Sequence, residues 1–244
     1  MSWSIFTTCW NGMIAENLKN LYLRVENTCK KCGRNREEIQ LIAVSKTFGI
    51  EPILEAFAAG HLDFGENYVQ ELQGKRLKLI DQPIRWHFIG HLQTNKVKYI
   101  AEYIHLIHSV DNLSLGKEIS KRAEQCGRVQ NVLVEVHTTD EATKYGIQPD
   151  KTIPLIKDLS SLSHLRVFGL MTMGPFSDDP NDSRTSFRQL MDLKKDIDKE
   201  GIEQIHMQHL SMGMTHDFEV AIEEGSTMIR IGTAIFGKRL KYVN

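Results

Sequence analysis

The chain has 244 residues, 41% of them hydrophobic and 25% charged, which suits one large globular domain or two small ones and excludes disordered, collagenous and fibrous classes. Thirty basic against thirty-one acidic residues leave a formal net charge of −1, without the basic excess of a nucleic-acid binder, so no nucleic-acid partner is expected. The uncharged stretch before Glu16 includes Ser, Thr, Asn and Gly, falls short of the ~18 apolar residues of a membrane span, and lacks the basic start of a signal peptide. Four cysteines do not make a disulfide scaffold in a chain this long, and a reducing, cytoplasmic setting with no membrane partner is expected.

Met1–Gly12 shows no helical periodicity and reads as an extension, non-native or disordered, with the true start at Met13. Ile14, Leu18, Leu21, Tyr22 and Val25 share one face of an opening helix. Cys29 and Cys32 close it with CxxC spacing, but no second pair or nearby histidine follows, and they read as surface or buried thiols. Eight apolar runs then follow, at Ile39–Val44, Leu62–Phe64, Trp86–Ile89, Ile104–Val110, Asn131–Val136, Arg166–Met171, Ile205–Leu210 and Thr227–Ile231. Helix-like stretches separate them, among them one capped by Asn112 and one with Phe187, Leu190, Met191 and Ile197 on a single face. Gly60, Gly127, Gly201 and Gly225 sit where helices end. Eight strands each followed by a helix in about 200 residues predict a single-domain α/β fold, a (β/α)8 TIM-type barrel with an extra N-terminal helix. An open parallel sheet is the alternative, but its nucleotide-binding forms carry GxGxxG or GxxxxGK[ST], and neither motif is present.

In such a barrel the chemistry sits where strands end. Alternation places Ile42, Val44 and Lys46 on one face, which points Lys46 into the mouth. A lysine there is either a nucleophile of lowered pKa, suited to carbonyl cofactors and substrates, or a side chain that snorkels to solvent. Arg230 shares inward parity with Met228 and Gly232 in the last strand. Ser211-Met212-Gly213-Met214-Thr215 after the seventh strand and Gly232-Thr233 after the eighth offer backbone amides, and barrels often bind phosphate at these two loops. With two cations beside them, a phosphorylated ligand is expected. Other strand ends are polar as well: Gly65-Glu66-Asn67, Ser109 with Asp111, and Met171-Thr172-Met173. His87 and His91 are four apart, yet they lie in strand and turn rather than helix and no glutamate completes HExxH, so no metal site is expected. Residues 177–182 form the most polar, turn-rich stretch and predict a mobile loop controlling access to the mouth.

AVSKTFG (43–49), FGENYVQE (64–71), WHFIGHLQTNK (86–96), HSVDN (108–112), the ExxKxG of 135–146, GLMTM (169–173), HLSMGM (209–214) and IRIGTAIFG (229–237) occur in this order. The set resembles the pyridoxal phosphate homeostasis proteins, single-domain relatives of the barrel domain of alanine racemase. The resemblance spans about Met13 to Lys238 and makes residues 13–244 a pyridoxal-phosphate-binding domain. It implies that Lys46 is the Schiff-base lysine, that Ser211, Gly213, Gly232 and Thr233 surround the phosphate, that Asn67 lies near the cofactor, and that Arg230 faces the pyridine nitrogen. The chain departs from the family at His137, where asparagine is common, while Glu141, Lys144 and Gly146 are in place.

A guanidinium only donates hydrogen bonds, so Arg230 in that position would leave the ring nitrogen unprotonated and weaken the electron sink that carbanion chemistry needs. Alanine racemase also draws a tyrosine base from a second domain, which no segment after Lys238 is expected to supply. The resemblance therefore implies a carrier that buffers and delivers the cofactor to pyridoxal-phosphate-requiring apo-enzymes, acts as a monomer, and influences amino-acid balance. Two enzyme readings stand beside it. One is a racemase-like protein with His87 or His209 as the base; the other is a lysine-dependent aldolase without cofactor.

Overall fold

The computed structural model describes residues 12–139, 145–203, 205 and 207–238. The opening helix α1 (Met13–Cys32) buries Ile14, Leu18, Leu21 and Val25 and packs on α2, α7 and α8, the helices beside the seam where the barrel closes. It stops at Gly33, whose φ of 71° is the left-handed conformation a helix C-terminus favours.

Eight parallel strands follow in sequence order and close on themselves: β1 (Gln40–Val44), β2 (Asp63–Glu66), β3 (Arg85–Phe88), β4 (Leu106–Val110), β5 (Gln130–Glu135), β6 (Leu165–Met171), β7 (His209–Ser211) and β8 (Met228–Ile231). The helices between them are α2 (Ile50–Ala58), α3 (Val69–Lys78), α4 (Leu113–Gln125), α5 (Pro149–Ser160), α6 (Arg184–Lys199), α7 (Phe218–Glu223) and α8 (Thr233–Phe236). The expected (β/α)8 barrel is present, with two adjustments. The connection after β3 carries a 3-10 segment, Thr94–Tyr99, in place of an α-helix. β7 begins at His209 rather than Ile205, because pairing with β6 starts where His209 lies opposite Gly169. That glycine is required: a Cβ there would stand 1.9 Å from the His209 carbonyl oxygen.

Alternation along the strands sorts side chains into two environments. Leu41, Ala43, Phe64, Trp86, Phe88, Ile107, Val132, Val134, Val167, Leu170, Leu210, Ile229 and Ile231 face the helices and join one continuous core. Inside the barrel the apolar groups include Ile42 and Val44 of β1 and a cluster of Leu106, Leu133, Met171 and Met228 with Phe168 against it. The remaining interior is polar. His87, His108, Ser211 and Arg230 are all buried there, and β8 meets β1 with Arg230 opposite Ile42.

Candidate functional site

β1 ends at Val44, and the chain turns sharply at Ser45-Lys46-Thr47. Lys46 is half-buried at the strand-end face. Thr47 has φ 68°, the one positive φ among described non-glycine residues, and holding a β-branched residue there costs about 1–3 kcal/mol. The source of that constraint is Lys75 of α3. Its buried ammonium donates to the Ser45 carbonyl at 2.8 Å, to Glu66 Oε1 at 2.7 Å and to Glu71 Oε1 at 2.7 Å. Glu71 in turn accepts the Thr47 N–H at 2.5 Å, and Glu66 accepts the Ser45 hydroxyl at 2.6 Å. The peptide groups on both sides of Lys46 are thus fixed by one buried ion cluster. Burial raises the Glu66 carboxyl even though Lys75 pulls the other way.

Across the mouth, Arg230 lies buried on β8, with Nη1 donating to Ser211 Oγ at 2.6 Å and Nη2 to the Thr172 carbonyl at 2.8 Å. Burial lowers its guanidinium to about 10, which leaves it a cation at neutral pH. The Arg230 N–H donates to the Gly213 carbonyl at 2.9 Å, so the loops after β7 and β8 lie side by side. Gly213 has φ 93°, and a Cβ there would come within 2.5 Å of the Ala221 methyl and 3.0 Å of Phe218 Cα. Gly232 precedes α8 and packs under Val44, its Cβ position 3.3 Å from the Val44 carbonyl oxygen. Within α8 the Ile235 and Phe236 amides already donate to the Gly232 carbonyl, at 2.9 Å each. Gly213 is thereby paired to β8 two positions before Gly232 and three before Thr233. The Ser211 hydroxyl faces the interior, where it contacts Arg230 and His108.

Asn67, after β2, is pressed against Gly90, where a Cβ would lie 2.5 Å from the Asn67 carbonyl oxygen. Its Oδ1 is buried without a hydrogen-bond partner among the described residues, as if shaped for a donor from outside the chain. A cavity of about 460 Å³ adjoins it, lined by Tyr68, His91, Gln93, Lys96 and Tyr145.

His87 and His91 do not converge. His91 is exposed and stacks on Tyr145 at 4.0 Å, whereas His87 is sealed inside the barrel with both ring nitrogens engaged, which removes it as a rim base. His209 starts β7 and stacks on Phe168; burial lowers its pKa. Among the described residues no group of three potential metal ligands forms. Cys29 is buried and Cys32 half-buried, both as free thiols. His137 pairs through its backbone with Ile147, beside the isolated bridge of Val136 and Ile147. Glu141 and Lys144 lie outside the described residues, as do Met1–Asn11. The loop after β6 carries its own ties: Asp179 accepts from the Asn181 amides, His216 bonds to the Asp178 carbonyl, and Ser183 donates to Asp217.

Sequence reasoning gave no role to Glu135, which closes β5 beyond inward-facing Leu133. Burial raises its carboxyl to about 7, aided by Asp111 and opposed by Arg230. Its parity with Leu133 was the available signal.

A family model described as alanine racemase, N-terminal domain, matches residues 17–239. The pyridoxal phosphate homeostasis protein of Aquifex aeolicus is 44% identical over 92% of this chain and 97% of its own length, and that of Pseudomonas aeruginosa 38% identical over 93% and 96%. The chain belongs to the pyridoxal phosphate homeostasis protein family. PipY of Synechococcus elongatus, solved with pyridoxal phosphate (PLP) bound, superposes with a TM-score of 0.80 at 33% identity, covering 92% of this chain and all of PipY. Alanine racemase of Clostridium difficile shares the fold, with a TM-score of 0.72 at 14% identity, and this chain covers 58% of it.

Proposed function

We propose that this protein binds pyridoxal 5'-phosphate, holds it as a Schiff base on Lys46, and serves cofactor homeostasis by buffering and delivery rather than by turnover. The names of its relatives and the pyridoxal phosphate bound to PipY support the ligand. The residues fit that group: Gly213, Gly232 and Thr233 lie where β7 and β8 end, with the Gly213 carbonyl tied to β8, Asn67 Oδ1 is a buried acceptor without a partner among the described residues, and the peptide groups on both sides of Lys46 are held by hydrogen bonds. When bound, the cofactor supplies an aldehyde that amines attack and a ring that accepts electron density.

The observation that carries the carrier reading is Arg230. It is a buried cation whose guanidinium is fixed by Ser211 and by the Thr172 carbonyl, and it cannot accept a proton from a ring nitrogen. A donor-only partner keeps the pyridine neutral, so the ring withdraws electrons weakly. His87 is sealed off as a base, which further favours a carrier over a racemase-like enzyme. PLP-requiring apo-enzymes are the proposed recipients, and the proposed form is a cytoplasmic monomer.

Borohydride reduction followed by peptide mapping tests the attachment. A pyridoxyl group on Lys46 is expected; a label mainly on other lysines, with Lys46 unmodified, overturns the assignment. In deuterated water, wild-type protein is expected to exchange the α-proton of amino acids no faster than free cofactor. Exchange well above that rate, abolished by Lys46→Ala, would replace the carrier with the racemase-like reading.

A further inference from the structure

The barrel interior holds a continuous polar chain, of which the proposed function uses only the Arg230 and Ser211 end. Arg230 Nη1 lies 2.6 Å from Ser211 Oγ, Ser211 Oγ 3.0 Å from His108 Nδ1, His108 Nε2 3.0 Å from His87 Nδ1, and His87 Nε2 3.1 Å from Asp63 Oδ1. It begins at the strand ends of β7 and β8 and finishes at the first residue of β2. Asp63 is anchored there by Arg85, at 2.7 Å and 2.6 Å to its two oxygens, and by Gln40 at 3.0 Å.

The two ends dictate where every proton sits. A guanidinium only donates and an ionised carboxylate only accepts. Burial would raise Asp63, but hydrogen bonds from Arg85 and His87 outweigh it and hold the carboxyl well below its ordinary range, so it is ionised. Ser211 Oγ therefore accepts from Arg230 and turns its own proton to His108 Nδ1. That nitrogen is bare, which puts the His108 proton on Nε2, where it donates to His87 Nδ1. His87 then carries its proton on Nε2 and gives it to Asp63. All four links are satisfied by this one arrangement. The opposite tautomer at either ring would set two N–H groups or two lone pairs face to face, at residues with no solvent exposure.

We propose that Asp63, His87 and His108 are positioning residues for Arg230, acting through Ser211 as a one-way hydrogen-bond relay across the barrel. The negative end of each dipole in the relay faces the guanidinium, which supports its charge and prevents it from swinging. Glu135 and Asp217 favour that charge at longer range, and neither hydrogen-bonds to Arg230 among the described contacts. The relay commits the Ser211 hydroxyl to the interior and so removes it from the phosphate set, which leaves that task to Gly213, Gly232 and Thr233. Branched apolar side chains usually fill such barrels, and two buried histidines of matched polarity directed at a single cation are suited to orienting it. The link to the ring nitrogen rests on the pyridoxal reading; the relay itself does not.

The first test needs no cofactor. Nitrogen-15 NMR of the histidine side chains in the full chain is expected to show His87 and His108 as neutral Nε2–H tautomers between pH 6 and 8. An Nδ1–H or cationic form of either ring overturns the relay. The second test reads the visible absorption and retention of bound cofactor. Asp63→Asn is expected to shift the band and weaken retention roughly threefold to tenfold, in the lower part of the range for coupled residues in one network. In a His108→Leu background, where the relay is already cut, it should add nothing. An equal effect in both backgrounds shows that Asp63 acts through general stability and overturns the proposal. Ser211→Ala is expected to shift the band while leaving the phosphorus-31 resonance of bound cofactor in place, and the reverse pattern refutes the assignment of Ser211. If the tautomers are as expected but no cofactor binds, the relay stands and the pyridoxal reading falls. Where His108→Leu does not fold, the wild-type tautomers decide.

Discussion

Replacing Glu135 with glutamine isolates the electrostatics of the mouth in one group. In the folded protein its buried carboxyl titrates at about 7, against an ordinary 4.5. The folded protein therefore binds this proton more tightly than the unfolded chain does, and the group costs stability as pH rises. The cost is absent below about 4.5, grows from there to about 7, and is complete above that value. At about 1.4 kcal/mol for each pH unit between the two titrations, the full cost is roughly 3 kcal/mol. That is a sizeable part of the 5–15 kcal/mol that domains usually possess.

Urea denaturation of ligand-free wild type and Glu135→Gln, repeated from pH 4.5 to 8, measures it. The advantage of the glutamine form is expected to increase by roughly 3 kcal/mol across that interval. His87, His105, His108 and His209 have pKa values lowered by burial and give stability the opposite slope, increasing as pH rises towards the ordinary histidine value. They are present in both proteins and cancel in the difference. A difference that does not change with pH would refute a buried, protonated Glu135, whatever its sign.

Lys75→Met is expected to cost about 3–5 kcal/mol in urea denaturation, because it leaves the Glu66 carboxylate buried without its cation, and adding Glu66→Gln should recover much of that loss. A cost under about 1 kcal/mol would show that the cluster does not hold the Lys46 turn together. Gly213→Ala is expected to lower both stability and cofactor affinity, since φ 93° and the 2.5 Å approach to Ala221 act together. Gly127→Ala, with φ 64° and nothing within 4 Å of the added methyl, should cost only about 1–2 kcal/mol in thermal denaturation and leave affinity unchanged. Equal behaviour of the two variants would mean that contact at Gly213 has no functional weight.

Why some of this was legible in the sequence and some not follows from the range of the interactions. Parallel barrel strands are covered on both faces and read as short apolar runs, so seven of the eight were located to within a few residues, and β7 was displaced because only His209–Ser211 pair. Parity alone pointed Arg230 inward, and the register opposite Ile42 agrees. Parity cannot say which inward groups meet across a closed barrel: His108 and Ser211 are 103 positions apart, and His87 and Asp63 24 apart. Lys75 was equally hidden. On a helix with basic neighbours Arg76 and Lys78 it reads as a surface charge, and only folding brings α3 over the Lys46 turn.

The polar groups inside this barrel fall into two kinds, and the difference separates scaffold from binding site. From Arg230 to Asp63 each link joins a donor to an acceptor, so the relay is paired whether or not a ligand is present. At the mouth the pairing is incomplete: Asn67 Oδ1 is buried without a partner among the described residues, and burial raises the Glu135 carboxyl to about 7. An unsatisfied buried acceptor costs about 1–3 kcal/mol, which a ligand donor placed there would recover on binding. The interior is therefore already organised, and ligand binding energy has no reorganisation of Arg230 or of the Lys46 turn to offset. Under the proposed carrier function, that suits a protein that takes up a reactive aldehyde and releases it again. Rigid groups give selectivity, and a site that needs no large conformational step on binding would keep release accessible.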